Sequence, residues 1–292
     1  MFPQIKVLCL TALTLIAFAG NSVLCRLALE GAAIDPYSFT SLRLLGAVMV
    51  LVPLSIWIIP GAGTGWAQGS WRSGFALYAY AAAFSMAYRS LSSGTGALIL
   101  FGAVQITMLL AAHRQGERMH RSQWTAFAVA IAGIVYLVSP GVSAPDPLGA
   151  LLMLISGIAW GAYSIAGRGR SSPILTTSGN FLRAAPFALA SSVCAFAHTQ
   201  LIPQGIALAL LSGGLTSGLG YVLWYTALPK LTTTQAAIAQ LLVPLLATLG
   251  GIVYIDEQFT LRLAIASTLM ISGVAWSMTH KRNCRDKNLP TN

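Results

Sequence analysis

The sequence Ile131-Ala132-Gly133-Ile134-Val135-Tyr136 recurs 140 residues later as Ile271-Ser272-Gly273-Val274-Ala275-Trp276. With the same shift, Arg43 aligns with Arg183, and two of the three glutamates align with each other. Matches between apolar residues mean little in a chain that is 56% hydrophobic, but arginines within apolar segments are rare. The matched rare residues therefore indicate an internal duplication.

The composition is that of an integral membrane protein. Charged residues make up only 8% of the 292 residues, and the mean hydropathy is +0.73, whereas soluble domains carry about 25% charged residues. The segments between Pro- and Gly-containing joints have lengths that suit helices crossing a hydrocarbon core of about 30 Å. They predict ten spans, at residues 5–29, 36–59, 72–90, 93–112, 120–138, 147–167, 174–197, 203–227, 232–253 and 260–279. No alternating pattern of about ten residues recurs, which argues against a membrane β-barrel.

The basic residues predict the orientation. With the N-terminus in the cytoplasm, the inner segments hold twelve of the 17 Lys and Arg residues and the outer segments hold three, while Arg43 and Arg183 lie within helices. This bias predicts that both termini are cytoplasmic. The net charge of +10 is then a topology signal spread over the loops, so no nucleic-acid-binding face is expected.

Five helices per repeat is an odd number, so the second copy must enter the membrane from the opposite side. The predicted fold is an all-α integral membrane protein with ten transmembrane helices in two inverted five-helix repeats. The first repeat covers residues 1–139, the second, inverted repeat covers residues 140–279, and residues 280–292 form a cytoplasmic basic tail. Two nearly equivalent halves can exchange inward-open and outward-open shapes, which predicts a transporter that works by alternating access.

Polar and aromatic side chains within the predicted helices are the candidates for binding a small molecule. In helix eight, Ser217, Tyr221 and Trp224 follow Gly214 at helical spacing and therefore share one face. That face is either the wall of a binding site or a packed seam with aromatic anchors at the membrane interface. The other candidates are Asn21, Tyr78, Ser85, Gln105, Trp160, Tyr163 and Gln240. A buried amide must face the protein interior or a wet cavity, and its alternative role is an interhelical hydrogen bond worth about 0.6 kcal/mol.

Arg43, Arg183 and Pro244 are the candidate gating or structural residues. Each arginine lies near one end of its predicted helix, so its side chain can snorkel to the nearer interface or cap a neighbouring helix. Their matched positions favour structural hinges in both repeats, and a carboxylate clamp for a substrate is the alternative. Pro244 frees a carbonyl near the middle of helix nine, where it either kinks the helix at a cavity or is simply tolerated.

The residue types that are missing from the predicted spans argue against several functions. All seven Asp and Glu residues fall at joints or in the tail, which favours uniport or weakly coupled facilitation over proton coupling. No phosphate-binding loop is present, so ATP is not expected to drive transport directly. No catalytic or metal-binding cluster has a recognisable spacing, so an intramembrane enzyme is a remote alternative, and neither a metal nor a cofactor is expected. A receptor or assembly scaffold would hardly need inverted repeats.

The arrangement of the unusual residues is shared with one family. These residues are the Trp160-Gly161 pair, Arg43 and Arg183, Pro244, and Glu117 and Glu257 before the last helix of each repeat. With them, the chain resembles the drug/metabolite transporter superfamily and is most similar to its EamA-like ten-helix metabolite exporters, in particular the aromatic and neutral amino acid branch. The first repeat departs from the pattern, since Ala19-Gly20 replaces the Trp-Gly pair and Val104 stands at the position equivalent to Pro244.

The resemblance implies a basket of helices around a central cavity, lined by helices one, three, four, six, eight and nine, with helices five and ten at the periphery. It also implies a multi-pass protein of the bacterial inner membrane that exports neutral or zwitterionic metabolites, above all amino acids including aromatic ones. Nucleobases, sugars and hydrophobic drugs are the alternative cargoes on the same fold. Gly133 and Gly273 would permit a homodimer through helices five and ten without demanding it.

Overall fold

The computed structural model describes residues 2–61, 63–114, 121–141, 143–167, 172–231 and 239–286. Glu117 lies outside the described residues, as do Arg118, Arg168, Arg170 and Lys287 of the predicted charge bias. The described residues form ten main helices: α1 (Phe2–Glu30), α2 (Pro36–Ile58), α3 (Trp71–Ala87), α4 (Ser93–Arg114), α5 (Arg121–Val138), α6 (Pro147–Ala166), α7 (Pro173–Cys194), α8 (Pro203–Lys230), α9 (Leu242–Ile255) and α10 (Leu261–Asp286). One isolated bridge, between Ile34 and Leu201, is the only β-structure in this part of the chain, and the predicted all-α fold is confirmed.

Aspartate and proline at the predicted joints begin two of the helices. Asp35 precedes Pro36 and accepts hydrogen bonds of 3.0 Å from two backbone N–H groups in the first turn of α2. Asp146 precedes Pro147 and accepts one hydrogen bond of 2.6 Å at the start of α6. The side chains satisfy N–H groups that have no partner within the helix, and proline brings no N–H of its own. The two Asp-Pro pairs in the sequence therefore mark the starts of α2 and α6.

The middle of α8 is irregular. The helix is α-helical over Pro203–Leu211, π-helical over Ser212–Leu219 and α-helical again over Gly220–Ala227, and it ends in a 3-10 turn at Leu228–Lys230. Stretches of π-helix are rare and are frequently found at functional sites. The sequence predicted a continuous span over residues 203–227, without this irregularity.

The last two helices differ most from their predicted spans. In helix nine, residues 239–240 are helical, Leu241 lies in a turn, and α9 begins at Leu242, while residues 232–238 lie outside the described part. The interruption comes just before Pro244, because proline removes a backbone donor and its ring clashes with the carbonyl four residues earlier. Pro244 thus stands in the first turn of α9, next to the interruption at Leu241. α10 continues to Asp286, into the segment predicted as a tail, and no Pro or Gly lies between Gly273 and Asp286 to stop it sooner.

The packing of the helices repeats itself between the two halves of the chain. α3 packs against α6 as α8 packs against α1, and α4 packs against α6 as α9 packs against α1. α2 lies against α8 as α7 lies against α3, and the equivalent helices α2 and α7, α4 and α9, and α5 and α10 contact each other in pairs. Contacts of the first five helices therefore have counterparts in the second five. This is the arrangement of two inverted five-helix repeats.

Five of the described helices are long and apolar enough to cross a membrane, namely α1, α2, α4, α6 and α8. Two of the others are shorter, with 17 residues in α3 and 14 in α9. α7 is longer but more polar, and its Thr176, Asn180 and Arg183 are all buried. Because their neighbours are other helices, the polar side chains of α7 face protein and not lipid.

α5 and α10 form a pair at the periphery of the bundle. Gly133 lies at their crossing, where an added Cβ would be 2.8 Å from the Met270 side chain and 3.0 Å from the carbonyl oxygen of Ala266. Gly273 is also buried. Gly133 therefore serves packing within the chain, and a homodimer through these helices would have to use their outward faces, where Val135 is exposed.

Candidate functional site

A small cavity lies at the centre of the bundle. It is lined by Phe18, Asn21, Ser22, Arg43, Tyr80, Phe84, Leu100, Phe101, Trp160, Thr216, Ser217 and Tyr221. The space open to a water-sized molecule is ≈ 20 Å³, which is room for about one water. The helices have therefore closed around the site, and a larger ligand requires them to separate.

The set of lining helices adds one helix to the expectation from the resemblance. α1, α3, α4, α6 and α8 contribute as expected and α2 contributes too, while helix nine, whose residues 232–238 lie outside the described part, adds no described residue to the lining. The addition of α2 rests on one residue, Arg43, whose long side chain reaches Tyr80 on α3 and Ser217 on α8. The long side chain of Arg43 thus reaches the cavity from a helix that was not expected to line it.

Aromatic rings form the wall of the cavity around Trp160. The Trp160 ring stacks on Tyr80 at a centroid distance of 6.0 Å and meets Phe101 edge-on at 5.4 Å. Phe18 closes the other side, at 6.1 Å from Trp160 and 6.0 Å from Tyr221. Edge-to-face and offset arrangements at these distances are favourable for ring quadrupoles. Rings from α1, α3, α4, α6 and α8 therefore offer apolar area to a bound molecule.

Trp160 and Tyr221 are also joined by a hydrogen bond. The indole Nε1–H donates to the Tyr221 hydroxyl at 2.7 Å, and both residues are buried. A buried indole N–H needs an acceptor, and here α8 provides it for α6. The contact ties α6 and α8 of the second repeat together at the cavity.

Asn21 is the polar centre of the contact between α1 and α8. Its Oδ1 accepts from the Ser212 hydroxyl at 2.7 Å and from the Thr216 hydroxyl at 3.4 Å. Its Nδ2 lies 3.5 Å from the Tyr80 hydroxyl. Ser212 and Thr216 both lie in the π-helical part of α8, so the irregular turns present their hydroxyl groups to the amide. Asn21 thus links α1, α3 and α8 at the edge of the cavity.

Arg43 brings a positive charge to the cavity wall. Only 3% of the residue is exposed. Its Nη2 donates to the Tyr80 hydroxyl at 2.7 Å and its Nε donates to the Ser217 hydroxyl at 3.2 Å. Its Nη1 is buried and has no hydrogen-bond partner among the described residues. The guanidinium also lies 4.8 Å from the centroid of the Phe84 ring, so it does not snorkel to the interface as the sequence suggested.

Arg183, the residue equivalent to Arg43, has other surroundings. Its guanidinium lies 3.9 Å from the centroid of the Trp66 ring, and its Nη1 donates to the carbonyl oxygens of Trp66 and Gly179. Trp66 belongs to the segment between α2 and α3. Arg183 therefore anchors a connecting segment to α7 and takes no part in lining the cavity.

Of the predicted binding residues, the cavity brings together Asn21, Trp160, Ser217 and Tyr221. Trp224 and Tyr163 do not line the cavity themselves, but each contacts an aromatic ring that does. The Trp224 ring is 6.1 Å from Phe18, and the Tyr163 ring is 6.4 Å from Tyr221.

The remaining predicted residues lie elsewhere in the bundle. Tyr78 stacks on Phe187 at 5.9 Å, and the Ser85 hydroxyl accepts from Thr40 at 2.9 Å. Gln105 and Gln240 are half-buried, and neither lines the cavity.

Sequence reasoning did not select the face of α3 that lines the cavity. Tyr80 and Phe84 line the cavity, and with Leu77 they are buried and follow at spacings of 3 and 4 residues. This stripe of large side chains was visible in the sequence as one helical face. Tyr78 and Ser85, the binding residues predicted from this helix, are more polar but do not line the cavity.

One end of the bundle is held by charged and polar contacts. We call it the distal end, where α1 ends and α4 begins. Glu257, which follows α9, accepts hydrogen bonds of 2.8 and 2.9 Å from the backbone N–H of Ser93 at the start of α4, and lies 3.5 Å from Nε of Arg26. Burial raises the pKa of the Glu257 carboxyl, and the Ser93 N–H and the Arg26 charge lower it by less. α1, α4 and the end of α9 are thus fastened together at the distal end.

The described residues contain no group of three His, Cys, Asp or Glu side chains that could hold a metal ion. The chemistry that the cavity offers to a ligand therefore comes from aromatic rings, hydroxyl groups, one amide and one guanidinium.

Comparison with known proteins shows the family. The model of the EamA-like transporter family matches residues 5–139 and again residues 147–279. An uncharacterized Pseudomonas aeruginosa protein is 49% identical over 274 residues, which are 94% of each chain. The threonine/homoserine exporter RhtA of Escherichia coli (strain K12) is 26% identical over 173 residues, 56% of this chain and 57% of the exporter. A solved crystal structure has the same fold, with a TM-score of 0.64 at 20% sequence identity, and the alignment covers 93% of this chain and 99% of the other. Since the family model matches both halves, the chain belongs to the EamA-like transporter family.

Proposed function

We propose that this transporter exports small neutral or zwitterionic metabolites, above all amino acids including aromatic ones, by alternating access and without ATP. The observation that carries the proposal is the central cavity, which lies between the two repeats and combines aromatic walls with a few buried polar groups. Apolar walls with a small number of placed polar groups are typical of sites for small molecules. The resemblance to a threonine/homoserine exporter supports amino acids as the cargo.

The packing of α4 supports alternating access. Between Ser93 and Val104 every residue except Thr95 is buried, whereas none of residues 105–114 is buried. Together with the contacts of Glu257, this shows that α4 is tightly packed at the distal end and more exposed at its other end. Inverted repeats allow the opposite arrangement at similar energy, because the two halves can exchange their shapes.

The direction of transport follows from the predicted orientation. The bias of Lys and Arg predicts that both termini are cytoplasmic, so the more exposed end of α4 would face the cytoplasm of a bacterial inner membrane. A cargo would load there and leave through the distal end after the contacts of Glu257 open. No Asp or Glu is among the described residues that line the cavity, which supports facilitation driven by the gradient of the cargo. Nucleobases, sugars or hydrophobic drugs are the alternative cargoes.

Counterflow in liposomes tests the proposal. Protein reconstituted alone is offered radiolabelled phenylalanine, or threonine, against an excess of the unlabelled amino acid inside. We expect accumulation without an imposed proton gradient. Asn21→Ala should abolish it, because Asn21 joins α1 and α8 at the cavity, while Tyr78→Phe should leave it unchanged, because Tyr78 lies outside the cavity.

The opposite results have definite meanings. Folded protein that accumulates neither amino acid would overturn amino acids as the cargo and favour the alternatives. Accumulation that requires a proton gradient would overturn facilitation and leave the export of amino acids in place.

A further inference from the structure

The hydrogen bonds described above use only some of the donors of the Arg43 guanidinium. An arginine has five N–H groups, of which one on Nε is used for Ser217 and one on Nη2 for Tyr80. Both N–H groups of Nη1 and the second one of Nη2 have no acceptor among the described residues. Nη1 and Nη2 together form the end of the fork that binds both oxygens of a carboxylate.

The charge of Arg43 also lacks a counter-ion. None of the cavity-lining residues is an Asp or Glu, and within the described residues the ion pairs involve Arg26 alone. An unpaired charge buried in a protein is costly, and in membrane proteins such residues mark the paths of substrates and ions. Two hydroxyl groups and the faces of Tyr80 and Phe84 reduce this cost without neutralising the charge.

We propose that Arg43 binds the carboxylate of the transported molecule, and that the cargo is therefore an organic monocarboxylate, with or without an amino group. This inference rests on the proposed function and gives its site a chemical selectivity. The free N–H groups of Nη1 and Nη2 donate hydrogen bonds to its two oxygens. The Tyr80 hydroxyl, which accepts from Nη2, keeps its own proton to donate to the same carboxylate.

The surroundings favour an organic anion over an inorganic one. The rings of Phe18, Phe101, Trp160 and Tyr221 offer apolar area that chloride or phosphate cannot use. One unpaired cation matches a single negative charge, and Arg43 is the one basic residue among the described residues that line the cavity. The carboxylate thus lies on Arg43 and the remainder of the molecule lies against the aromatic wall.

Arg183 provides a matched control within the same chain. It occupies the equivalent position of the second repeat, but it stacks on Trp66 and donates to backbone carbonyl oxygens. Arg183→Gln removes the same charge at a distance from the cavity. It should lower stability without changing the selectivity for a carboxylate.

The test compares ligands that differ at one group. Purified wild-type protein, Arg43→Lys, Arg43→Gln and Arg183→Gln are titrated with phenylalanine, phenylalaninamide, 3-phenylpropionate and phenethylamine. The readout is ligand-induced thermal stabilisation, with competition in counterflow as a second measure. A charge-assisted hydrogen bond in a buried site predicts that wild-type protein prefers phenylalanine to its amide by about tenfold or more.

The variants should separate as follows. We expect Arg43→Gln to lose the preference, Arg43→Lys to retain part of it because the charge remains, and Arg183→Gln to retain all of it. If Arg43→Gln does not fold, the inference is still tested by comparing the preference for phenylalanine over its amide in wild-type protein and in Arg43→Lys. Equal binding of the acid and the amide by wild-type protein, or an unchanged preference in a folded Arg43→Gln, would overturn the inference.

The ligands also separate this inference from the proposed function. Amino acid transport with a preference that does not depend on Arg43 would refute the carboxylate site and leave the exporter in place. Stabilisation by 3-phenylpropionate that depends on Arg43, without any amino acid transport, would support the site and refute the amino acid cargo. Stabilisation by chloride or phosphate equal to that by 3-phenylpropionate would refute an organic cargo at Arg43.

Discussion

Replacing Gly213 by alanine should break the closest approach of α8 to α2 at the cavity. An added Cβ would lie 2.8 Å from the carbonyl carbon of Arg43, 3.0 Å from its Cα and closer still to its oxygen, whereas ordinary contacts begin at 3.4 Å. All three atoms belong to the backbone, so no side chain can turn away to make room. The helices must therefore separate, and overpacking of this kind costs about 1–3 kcal/mol. The shift would also move Arg43 away from Ser217, to which it donates across the same interface.

The assay for Gly213→Ala is reversible unfolding in mixed detergent micelles, beside Gly20→Ala as the control. Gly20 lies in α1 beside Asn21, which lines the cavity, but its added Cβ would meet only the methyl group of Thr216 at 3.6 Å, an ordinary contact. We expect Gly213→Ala to lose about 1–3 kcal/mol and Gly20→Ala to stay within about 0.5 kcal/mol of the wild type. Wild-type stability in Gly213→Ala would refute the tight contact between α2 and α8 described here. An equal loss in Gly20→Ala would show that any added methyl group near the cavity is destabilising, and the backbone clash would not be the cause.

Three further changes test other contacts. In Tyr221→Phe the buried Nε1–H of Trp160 loses its acceptor, and we expect a loss of about 0.6–1.7 kcal/mol in the same unfolding assay; no loss would mean that the hydrogen bond contributes nothing to stability. In Arg183→Lys the stacking on Trp66 and the hydrogen bonds to two carbonyl oxygens are weakened, so limited proteolysis between α2 and α3 should become faster, and an unchanged rate would contradict the anchoring role. Burial raises the pKa of Glu257, so its contribution to stability is present below the ordinary pKa of a glutamate and is lost as the pH rises through the raised value. Glu257→Gln should therefore gain stability relative to the wild type as the pH rises through that window, and a difference that does not depend on pH would contradict the raised pKa.

The fold could be predicted from the sequence because its determinants are local or repeated. Asp-Pro pairs mark the starts of α2 and α6, and rare residues such as Arg43 and Arg183 align the two halves of the chain. The odd number of helices in each half then implies the inversion. Neither step requires knowledge of which side chains touch.

The cavity was harder to predict, because the faces of a membrane helix toward lipid and toward protein are both apolar. In α3, hydropathy could not show whether the face of Tyr78 or that of Tyr80 points to the centre, and the structure places Tyr80 there. The role of Arg43 was hidden for a different reason. Its position near a helix end allows snorkelling, and only the contact with Tyr80 and Ser217 shows that its side chain lies across the bundle instead.

The guanidinium of Arg43 also affects how readily protons and metal cations could leak across the membrane through this protein. A fixed positive charge at the narrowest part of a pathway raises the electrostatic barrier for protons and metal cations. The cavity here has room for about one water molecule, which leaves little space for a file of water beside Arg43 in this conformation. A cell that uses such a protein to discard metabolites would then lose little of the proton and sodium gradients that power its other transporters.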